Sequence, residues 1–313
     1  MSVVVLKAGL QTTIQSSPRL GRRHLGVPAS GPADALSMAL ANRLVGNDLF
    51  APTLEVTLSA LSLRFESYAS VAITGANASV ELGGHVVSMH KTLTAGVGDE
   101  LRIGPAEQGA RVYIAFAGGL VAEEILGSAS TYVPAGLGGY DGRALAKGDR
   151  LSIHAVQRTV DHLETPAEFR PRMGTSWAFR VCDAAETGLL QFREQLFDTN
   201  FVVSNRCDRM GMMLDGPRLR VESDGRMPSA PVFPGTVQCP EDGRPFVLSV
   251  DAQTTGGYPR IAQVARVDRH MLGQLRPGDH IRLLWRREQS AIDELRAKID
   301  YWQGWLDDAQ KTI

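Results

Sequence analysis

The stretch TLEVTLSALSLRF, residues 53–65, alternates apolar and polar side chains with the period of two that is typical of a β-strand. Leu54, Val56 and Leu58 form one apolar row, and a second row begins at Leu61 after a short break. Such a row indicates that one face of the strand is buried. The stretch therefore predicts two β-strands, each with one buried face, joined by a turn.

Six further runs of the same kind flank this stretch, and turns that contain glycine separate them. They cover residues 3–7, 71–74, 79–82, 86–89, 100–103 and 111–117. Strands at this spacing, with little helix between them, favour an all-β sandwich or barrel over a doubly wound sheet.

A Gly-Asp pair followed by alternating residues occurs three times, as GDELRI at 98–103, GDRLSI at 148–153 and GDHIRL at 278–283. Each copy is typical of a turn that leads into a strand. Chance recurrence of a common turn is one explanation. The matching strand phase favours the other explanation, which is a duplicated β-domain.

The polar segment 156–175 contains Pro166 and Pro171 and has the composition of a linker between two domains. A second β-rich block follows at 178–285, with a helix-like stretch near 185–197. We therefore predict a mainly β chain with an N-terminal β-domain at 1–157, a C-terminal β-domain at 176–287 and a terminal helix at 288–311.

One early helix interrupts the strands of the first half. The segment GPAD at 31–34 opens it, because proline suits the first turn of a helix, and Gly46 marks its end. Leu36, Leu40 and Leu44 recur at every fourth position. This spacing predicts one buried stripe along the helix.

The hydrophobic period changes again near the C-terminal end. Apolar residues step by three and four at Ile292, Leu295, Ile299, Trp302 and Leu306. The pattern predicts an amphipathic helix. It fits either a strut packed on the chain's own barrel or a docking helix for a partner chain, and the sequence does not decide between them.

The charge composition excludes some classes of function. The 313 residues carry 33 Lys and Arg against 34 Asp and Glu, whereas nucleic-acid-binding proteins usually carry a basic surplus. The longest apolar stretch, 112–122, is interrupted by glycines and far shorter than the roughly 20 residues of a membrane span. We therefore expect neither nucleic acid nor a membrane among the partners.

Cysteine usage indicates the compartment. Cys182, Cys207 and Cys239 form no C-x-x-C pair, as expected of free thiols in a reducing environment. The N-terminal residues lack the basic region and long apolar run of a signal peptide. We expect a cytoplasmic protein.

Several motifs that carry well-known chemistry do not occur in the sequence. It has no Walker ATP-binding loop, no dinucleotide-binding glycine fingerprint and no G-x-S-x-G nucleophile turn. Its seven histidines show no zinc-ligand spacing, and no Met-Lys-Met biotin-attachment sequence is present. We therefore expect no tightly bound metal or organic cofactor in this chain.

Polar side chains gather instead in turns that contain glycine. The segment DAQTTGGYP at 251–259 places an acid, an amide, two hydroxyls and a phenol around two glycines, where a ligand can approach the backbone closely. A polar hairpin loop that bonds to itself explains the same residues equally well. Similar polar turns occur at 205–211, at 235–240 and at 26–34.

Together these segments resemble the family that comprises the C-type subunit of 5-oxoprolinase, KipA-like proteins and allophanate hydrolase subunit 2, which is similar to the carboxyltransferase domain of urea carboxylase. The resemblance covers nearly the whole chain. In the first half it rests on LGVPASGPAD at 25–34, ANRLVGN at 41–47, LEVT at 54–57, AGG at 117–119, LGS at 126–128 and GGYDGR at 138–143. In the second half it rests on DRMG at 208–211, PGTVQ at 234–238 and DAQTTGGYP at 251–259.

The resemblance implies two cyclophilin-like β-barrel domains, in agreement with the strand pattern. It also implies a hydrolase that acts on a cyclic amide, namely the ATP-dependent opening of 5-oxo-L-proline to L-glutamate with release of ADP and phosphate. This activity would be shared with an A-type subunit and a B-type, KipI-like subunit. ATP would be a co-substrate of the complex.

Three motifs depart from the usual pattern of the family. The usual Gln-Asp-x-Gly-Arg reads QSSPR at 15–19, and the usual Gly-Pro-Gln of the second domain reads VCDA at 181–184. The usual Ser-Asp-Arg-Met-Gly-Tyr-Arg-Leu reads CDRMGMML at 207–214, without its second arginine. Each change removes a charged or backbone-shaping group near the implied site. A changed substrate or a non-catalytic role is therefore an alternative.

Side-chain chemistry suggests roles within the matching segments. Asp251 or Asp208 would act as the acid or base, because a carboxylate can relay the proton of an attacking water. Arg209 would hold a substrate carboxylate. The amide oxygen would be oriented by Gln238, Gln253 and Thr254. The other substrate-binding candidates are Tyr258 in the second domain and Asp34, Asn42 and Glu55 in the first, and for Asp34 a helix cap is the simpler explanation.

Two other functions stay open. A KipA-like regulatory protein would bind a KipI-like partner through the same grooves without turnover. A carboxyltransferase-like subunit would transfer a carboxyl or acyl group to a urea-like amide.

Overall fold

The structure is a computed structural model that describes residues 1–156, 161–222 and 227–313. The predicted mainly β fold is confirmed, and its strands form two β-units followed by a C-terminal helix. Part of the predicted linker and the proposed end of the first domain at 157 lie outside the described residues. The proposed domain bounds stay a prediction.

Eleven strands of the described residues build the first unit. They are β1 (Ser2–Lys7), β2 (Gln11–Gln15), β3 (Thr53–Thr57), β4 (Leu61–Phe65), β5 (Ala69–Asn77), β6 (Val80–Leu82), β7 (His85–Val86), β8 (Thr92–Ala95), β9 (Glu100–Ile103), β10 (Gln108–Phe116) and β11 (Arg150–Ser152). One sheet has the order β11-β1-β4-β9-β6-β7, and the other has the order β2-β3-β10-β5-β8. Apolar side chains of both sheets meet in one core.

The alternating stretch 53–65 ties these two sheets together. Its halves form β3 and β4, as predicted, but β3 pairs with β10 in one sheet and β4 pairs with β1 in the other. The break falls at Leu58, whose φ of 58° turns the chain from one sheet to the next. Leu54 and Leu63 are both fully buried, so the two apolar rows line the same core.

The second unit contains the strands β12 (Ser176–Cys182), β13 (Asn200–Cys207), β14 (Gly211–Asp215), β15 (Ala230–Pro231), β16 (Thr236–Gln238), β17 (Phe246–Leu248), β18 (Thr255–Gly256), β19 (Arg260–Val264) and β20 (His280–Trp285). Seven of them close a barrel in the order β12-β19-β16-β17-β14-β13-β20. The pair β15 and β18 forms a small separate sheet. A core that includes Phe179, Phe201, Val237 and Ile261 fills the barrel.

The three Gly-Asp sequences fold into the same turn, and each leads into a strand, as predicted. In each copy the glycine has a positive φ, between 86° and 96°. In each copy the aspartate side chain accepts a hydrogen bond from the backbone N–H three residues earlier, which for Asp99, Asp149 and Asp279 belongs to Gly96, Ala146 and Arg276. The shared turn geometry follows from the shared local sequence and is compatible with both explanations, so the duplication stays a prediction.

The helices of the described residues are α1 (Ala35–Leu44), α2 (Arg193–Asp198), α3 (Arg266–Arg269) and α4 (Glu288–Gln303). Helix α1 is buried on nearly every side rather than along one stripe. Its Met38 and Ala41 pack against the five-stranded sheet, whereas Leu36 and Leu40 pack against the C-terminal segment. None of the helices in the described ranges is long and apolar enough to cross a membrane.

Helix α4 acts as an internal strut between the units. Trp302 of the helix and Leu306 just after it are buried against α1 of the first unit. Lys298 donates to the carbonyl of Val267 in α3 at 2.8 Å. The sequence predicts a helix over 288–311, which is longer than the observed one. Helix α4 ends at Gln303, and a separate 3-10 turn follows at Ala309–Lys311.

The buried position of Lys298 predicts a pH-dependent stability. Burial lowers the pKa of Lys298 to about 8, even though Asp268 and Asp34 oppose that change and Arg180 adds to it. Between this value and the ordinary 10.5, the unfolded chain binds a proton that the folded chain does not. The contribution of Lys298 to stability therefore falls as the pH is lowered through this range and is constant below it.

We expect Lys298→Met to gain stability relative to the wild type as the pH is lowered through this range. Urea unfolding at three pH values, about 8, 9 and 10, measures the difference in free energy of unfolding between the two proteins. Lys147 is exposed, so Lys147→Met is the matched control. A difference that does not change with pH would show that burial of Lys298 does not favour its neutral form.

Candidate functional site

A buried ion-pair cluster joins the two units, and three of the predicted site residues form it. Glu55 lies in β3 of the first unit, Arg209 lies in the turn after β13, and Asp251 follows β17. Arg209 Nη1 lies 2.5 Å from Glu55 Oε1, and Arg209 Nε lies 2.6 Å from Asp251 Oδ2. All three side chains are at most 5% exposed.

Arg209 donates from all three of its guanidinium nitrogens. Besides the two contacts above, Nη2 donates to the carbonyl of Gly31 at 2.8 Å and to Asp251 Oδ1 at 3.1 Å. Burial would lower the pKa of Arg209, but the charges of Asp251 and Glu55 raise it above its ordinary value. A substrate carboxylate would have to displace one of these partners, so the role of Arg209 as its anchor stays a prediction.

Glu55 is the centre of the first-unit side of the cluster. Its Oε2 accepts from the Ala33 N–H at 2.9 Å and from the Tyr113 hydroxyl at 2.7 Å, and Arg111 Nε lies 3.4 Å from Oε1. Burial alone would raise the pKa of Glu55, but Arg209 and Arg111 outweigh it and the net pKa is lowered. The carboxylate is therefore held in its ionised form.

Asp34 lies next to the cluster, and within the described ranges it pairs with no arginine. It caps α1, since Oδ1 accepts from the Ser37 N–H at 3.1 Å, and Oδ2 accepts from the Gln274 side chain at 2.8 Å. The simpler explanation, a helix cap, is therefore confirmed. Burial raises the pKa of Asp34, and the hydrogen bonds from Ser37 and Gln274 oppose that rise.

Asn42 is not brought to the cluster. Its amide nitrogen donates to the carbonyls of Leu49 and Ala51, both at 3.1 Å, and its oxygen accepts from Asn47 at 2.9 Å. These contacts brace the loop between α1 and β3. The structure gives Asn42 a structural role.

A pocket at the barrel of the second unit is lined by three other predicted residues. Its volume is about 540 Å³, and its lining includes Gln238, Gln253 and Tyr258 as well as Arg206. Gln253 Nε2 donates to Gln238 Oε1 at 3.3 Å, and Gln238 Nε2 donates to the carbonyl of Tyr258 at 3.2 Å. The two amides therefore support each other at the wall of the pocket. The loop that begins at Asp251 and includes Gln253 connects this pocket to the ion-pair cluster.

Asp208 and Thr254 are placed elsewhere. Asp208 is exposed, and its Oδ1 accepts from the N–H groups of Met210 at 2.7 Å and Gly211 at 3.1 Å, which closes the turn between β13 and β14. Thr254 is half-buried, and its backbone carbonyl pairs with the N–H of Val232. The structure separates the two predicted acids, since only Asp251 reaches the cluster.

Three residues that pack around the cluster were not predicted from the sequence. Arg111 and Tyr113 lie on β10, and Gln274 follows α3. Gln274 Oε1 accepts from the N–H groups of Ala110 and Arg111, both at 3.0 Å, so it links the units directly. An arginine and a tyrosine within the apolar run RVYIAF at 111–116 are the sequence signal that points to Arg111 and Tyr113.

A second cavity of about 810 Å³ lies between the end of α1 and the C-terminal segment, and its lining includes Arg43, Asn47, Asp307 and Lys311. It holds none of the predicted site residues. Within the described ranges, no cluster of histidine, cysteine and carboxylate side chains could hold a metal ion.

The two β-units agree with a family whose description names two subdomains. Residues 25–285 match the family described as "Carboxyltransferase domain, subdomain A and B", and the chain belongs to this family. It is 35% identical over 301 residues to the C-type subunit of 5-oxoprolinase from Escherichia coli (strain K12), a match that covers 95% of this chain and 94% of that protein. The resemblance found in the sequence is therefore confirmed.

Larger proteins contain the same domain. The chain is 32% identical over 306 residues to the urea amidolyase of Lachancea kluyveri, covering 90% of this chain but 17% of that protein. The crystal structure of the K. lactis urea amidolyase superimposes with a TM-score of 0.90 at 28% identity, over 97% of this chain and 20% of that chain. The fold of both units is thus shared with urea amidolyases.

Proposed function

We propose that this chain is a subunit of an ATP-dependent 5-oxoprolinase, which opens 5-oxo-L-proline to L-glutamate together with an A-type subunit and a B-type, KipI-like subunit. The observation that carries the proposal is the likeness to the C-type subunit of the Escherichia coli 5-oxoprolinase over 94% of that protein's length. ATP is a co-substrate of the complex, and a cytoplasmic location belongs to the proposal.

The pocket at the barrel of the second unit supports a cyclic amide as the substrate. Its volume of about 540 Å³ lies within the roughly 300–1,000 Å³ that is typical of small-molecule sites. The side-chain amides of Gln238 and Gln253 offer both donors and acceptors to a lactam C=O and N–H. Tyr258 is half exposed at the rim and adds a hydroxyl.

The ion-pair cluster supports proton transfer in the same reaction. Opening a lactam requires a water to add to the activated carbonyl carbon, the C–N bond to break and the nitrogen to take up a proton. Asp251 is the carboxylate that takes the proton of the water. Arg209 positions Asp251 by a two-point contact, Nε to Oδ2 and Nη2 to Oδ1.

A carboxyltransferase-like role is the second candidate. The TM-score of 0.90 with the K. lactis urea amidolyase supports it. In this role the same amide-lined pocket would hold a urea-like acceptor. The regulatory alternative, binding of a KipI-like partner without turnover, is favoured by the engagement of Arg209 with protein groups at all three nitrogens.

One reconstitution distinguishes these functions. The chain is purified with its A-type and B-type partners, and ATP-dependent release of glutamate from 5-oxo-L-proline is measured with each subunit omitted in turn. We expect turnover that requires all three. Complex formation without turnover would favour the regulatory role, and transfer of label from bicarbonate to urea would favour the carboxyltransferase role.

A further inference from the structure

Arg19 is a buried cation with an unsatisfied nitrogen. Its side chain is 0% exposed, Nε donates to the carbonyl of Ile125 at 2.9 Å, and Nη2 donates to the carbonyl of Ser130 at 2.6 Å. Among the described residues, Nη1 has no hydrogen-bond partner. No carboxylate in the same ranges lies within ion-pair distance of this guanidinium, although buried charges are normally paired.

Arg19 belongs to the wall of the ion-pair cluster. Its N–H donates to the carbonyl of Ala29 at 2.6 Å, so the segment that begins at Gln15 runs beside the one that leads to Gly31. Both segments contact Arg209, through Gln15 Oε1 at 3.4 Å and through the Gly31 carbonyl at 2.8 Å. The hydroxyl of Ser30 is buried in the same wall and also lacks a partner within the described part of the chain.

The charges of the cluster do not cancel. Arg209 and Arg111 are matched by Glu55 and Asp251, while Asp34 and Lys298 act on each other. Arg19 is a buried cation outside these pairs, and the half-buried Arg23 likewise forms no ion pair with a carboxylate of the described residues. Burial lowers the pKa of Arg19, and the charge of Asp251 opposes this. A buried guanidinium without a carboxylate partner fits a ligand that supplies a carboxylate.

We propose that Arg19, rather than Arg209, anchors the carboxylate of a small anionic substrate through its free Nη1. The inference rests on the proposed function, in which that carboxylate belongs to 5-oxo-L-proline. The loop over Arg19 is exposed at Glu123 and Glu124 and again at Leu126 and Gly127. The proposal requires this loop to move, because Arg19 itself is fully buried.

The first test measures binding without turnover. Thermal unfolding of the chain is followed at constant ionic strength in sodium chloride, sodium L-5-oxoprolinate or 2-pyrrolidinone, the same lactam without a carboxylate. We expect only the carboxylate to raise the midpoint. Arg19→Gln should lose this rise, whereas Arg22→Gln, which removes an exposed charge three residues after Arg19, should keep it. No rise in the wild type, or an equal rise in Arg19→Gln, would overturn the proposal.

The second test uses the reconstituted complex. Arg19→Gln should raise the KM for 5-oxo-L-proline by about 10- to 100-fold, the effect of losing a hydrogen bond to a charged group, with a smaller change in kcat. Arg19→Lys keeps the positive charge but not the planar guanidinium that can bind a carboxylate at two points. Its KM should therefore lie between those of the wild type and Arg19→Gln. If Arg19→Gln fails to fold, Arg19→Lys still carries both tests, and an unchanged KM in Arg19→Lys would overturn the proposal.

The two tests separate this inference from the proposed function. If the carboxylate stabilises the chain through Arg19 but the complex does not turn over 5-oxo-L-proline, the result supports Arg19 as the anchor and contradicts the proposed function. If the complex turns over 5-oxo-L-proline and Arg19→Gln does not change the KM, the result supports the proposed function and contradicts the role of Arg19 as the anchor.

Discussion

Replacing Arg209 with methionine is expected to lower the free energy of unfolding by about 3–5 kcal/mol. The substitution removes the only direct arginine partner of Asp251 among the described residues and the closer of the two partners of Glu55. Both carboxylates are at most 4% exposed, so each would remain buried with its charge poorly compensated. Urea unfolding at neutral pH, monitored by circular dichroism, measures the loss.

The loss should shrink as the pH falls. Without Arg209, burial raises the pKa of Glu55 in the folded state above its ordinary value of 4.5, because burial is the largest influence on this carboxyl. The folded variant then binds more protons than the unfolded one, so its stability rises relative to the wild type as the pH falls toward 4.5. Arg111→Met is the comparison, because Arg111 lies farther from Glu55, at 3.4 Å. A loss below about 1 kcal/mol for Arg209→Met, independent of pH, would contradict the role of the cluster.

Local alternation predicted most of the strands that have one apolar row, although the predicted run 86–89 is a strand only at His85–Val86. It placed Glu100–Ile103 to the residue and found both halves of the stretch 53–65. It missed β2, because the buried side chains of that strand include Thr12, Thr13 and Gln15, which pair with other polar groups rather than with an apolar core. A strand whose buried side chains are largely polar shows no alternation of apolar and polar residues in the sequence.

The same limit applies to the long-range packing of the helices. Three leucines predicted one buried stripe on α1, but Leu36 and Leu40 face the C-terminal segment while Leu44 faces the sheet. The second contact comes from residues far along the chain, such as Trp302. Sequence spacing within a helix cannot show that a distant segment covers its outer side.

The candidate site was found in part, for a physical reason. Polar residues in glycine turns are visible in the sequence, and this signal led to Asp251, Arg209, Gln238 and Gln253. Pairing across the units is not visible, because Glu55 and Arg209 are 154 residues apart and only the fold brings them to 2.5 Å. For the same reason the sequence assigned the substrate carboxylate to Arg209 and gave no role to Arg19, whose unsatisfied nitrogen is a property of the packed chain.

Asp251→Asn is expected to lower kcat of the reconstituted complex by about 10²- to 10⁴-fold, the usual contribution of general acid–base catalysis. Asparagine has nearly the same shape but cannot accept a proton from the attacking water. It also turns an amide toward Arg209 or loses one of the two contacts at 2.6 and 3.1 Å. Complex formation and the free energy of unfolding are therefore measured beside glutamate release.

The same substitution at Asp208 separates catalysis from turn formation. The sequence offers both aspartates as the acid, but the carboxylate of Asp208 is exposed and accepts from two backbone N–H groups of its own turn. Asparagine can keep these contacts, so Asp208→Asn should change kcat by no more than about twofold. If Asp251→Asn keeps turnover and Asp208→Asn loses it, Asp208 in the exposed turn would be the residue that takes the proton. Equal and small effects of both substitutions would assign it to another subunit, and Asp251 would then serve only to hold Arg209 between the two units.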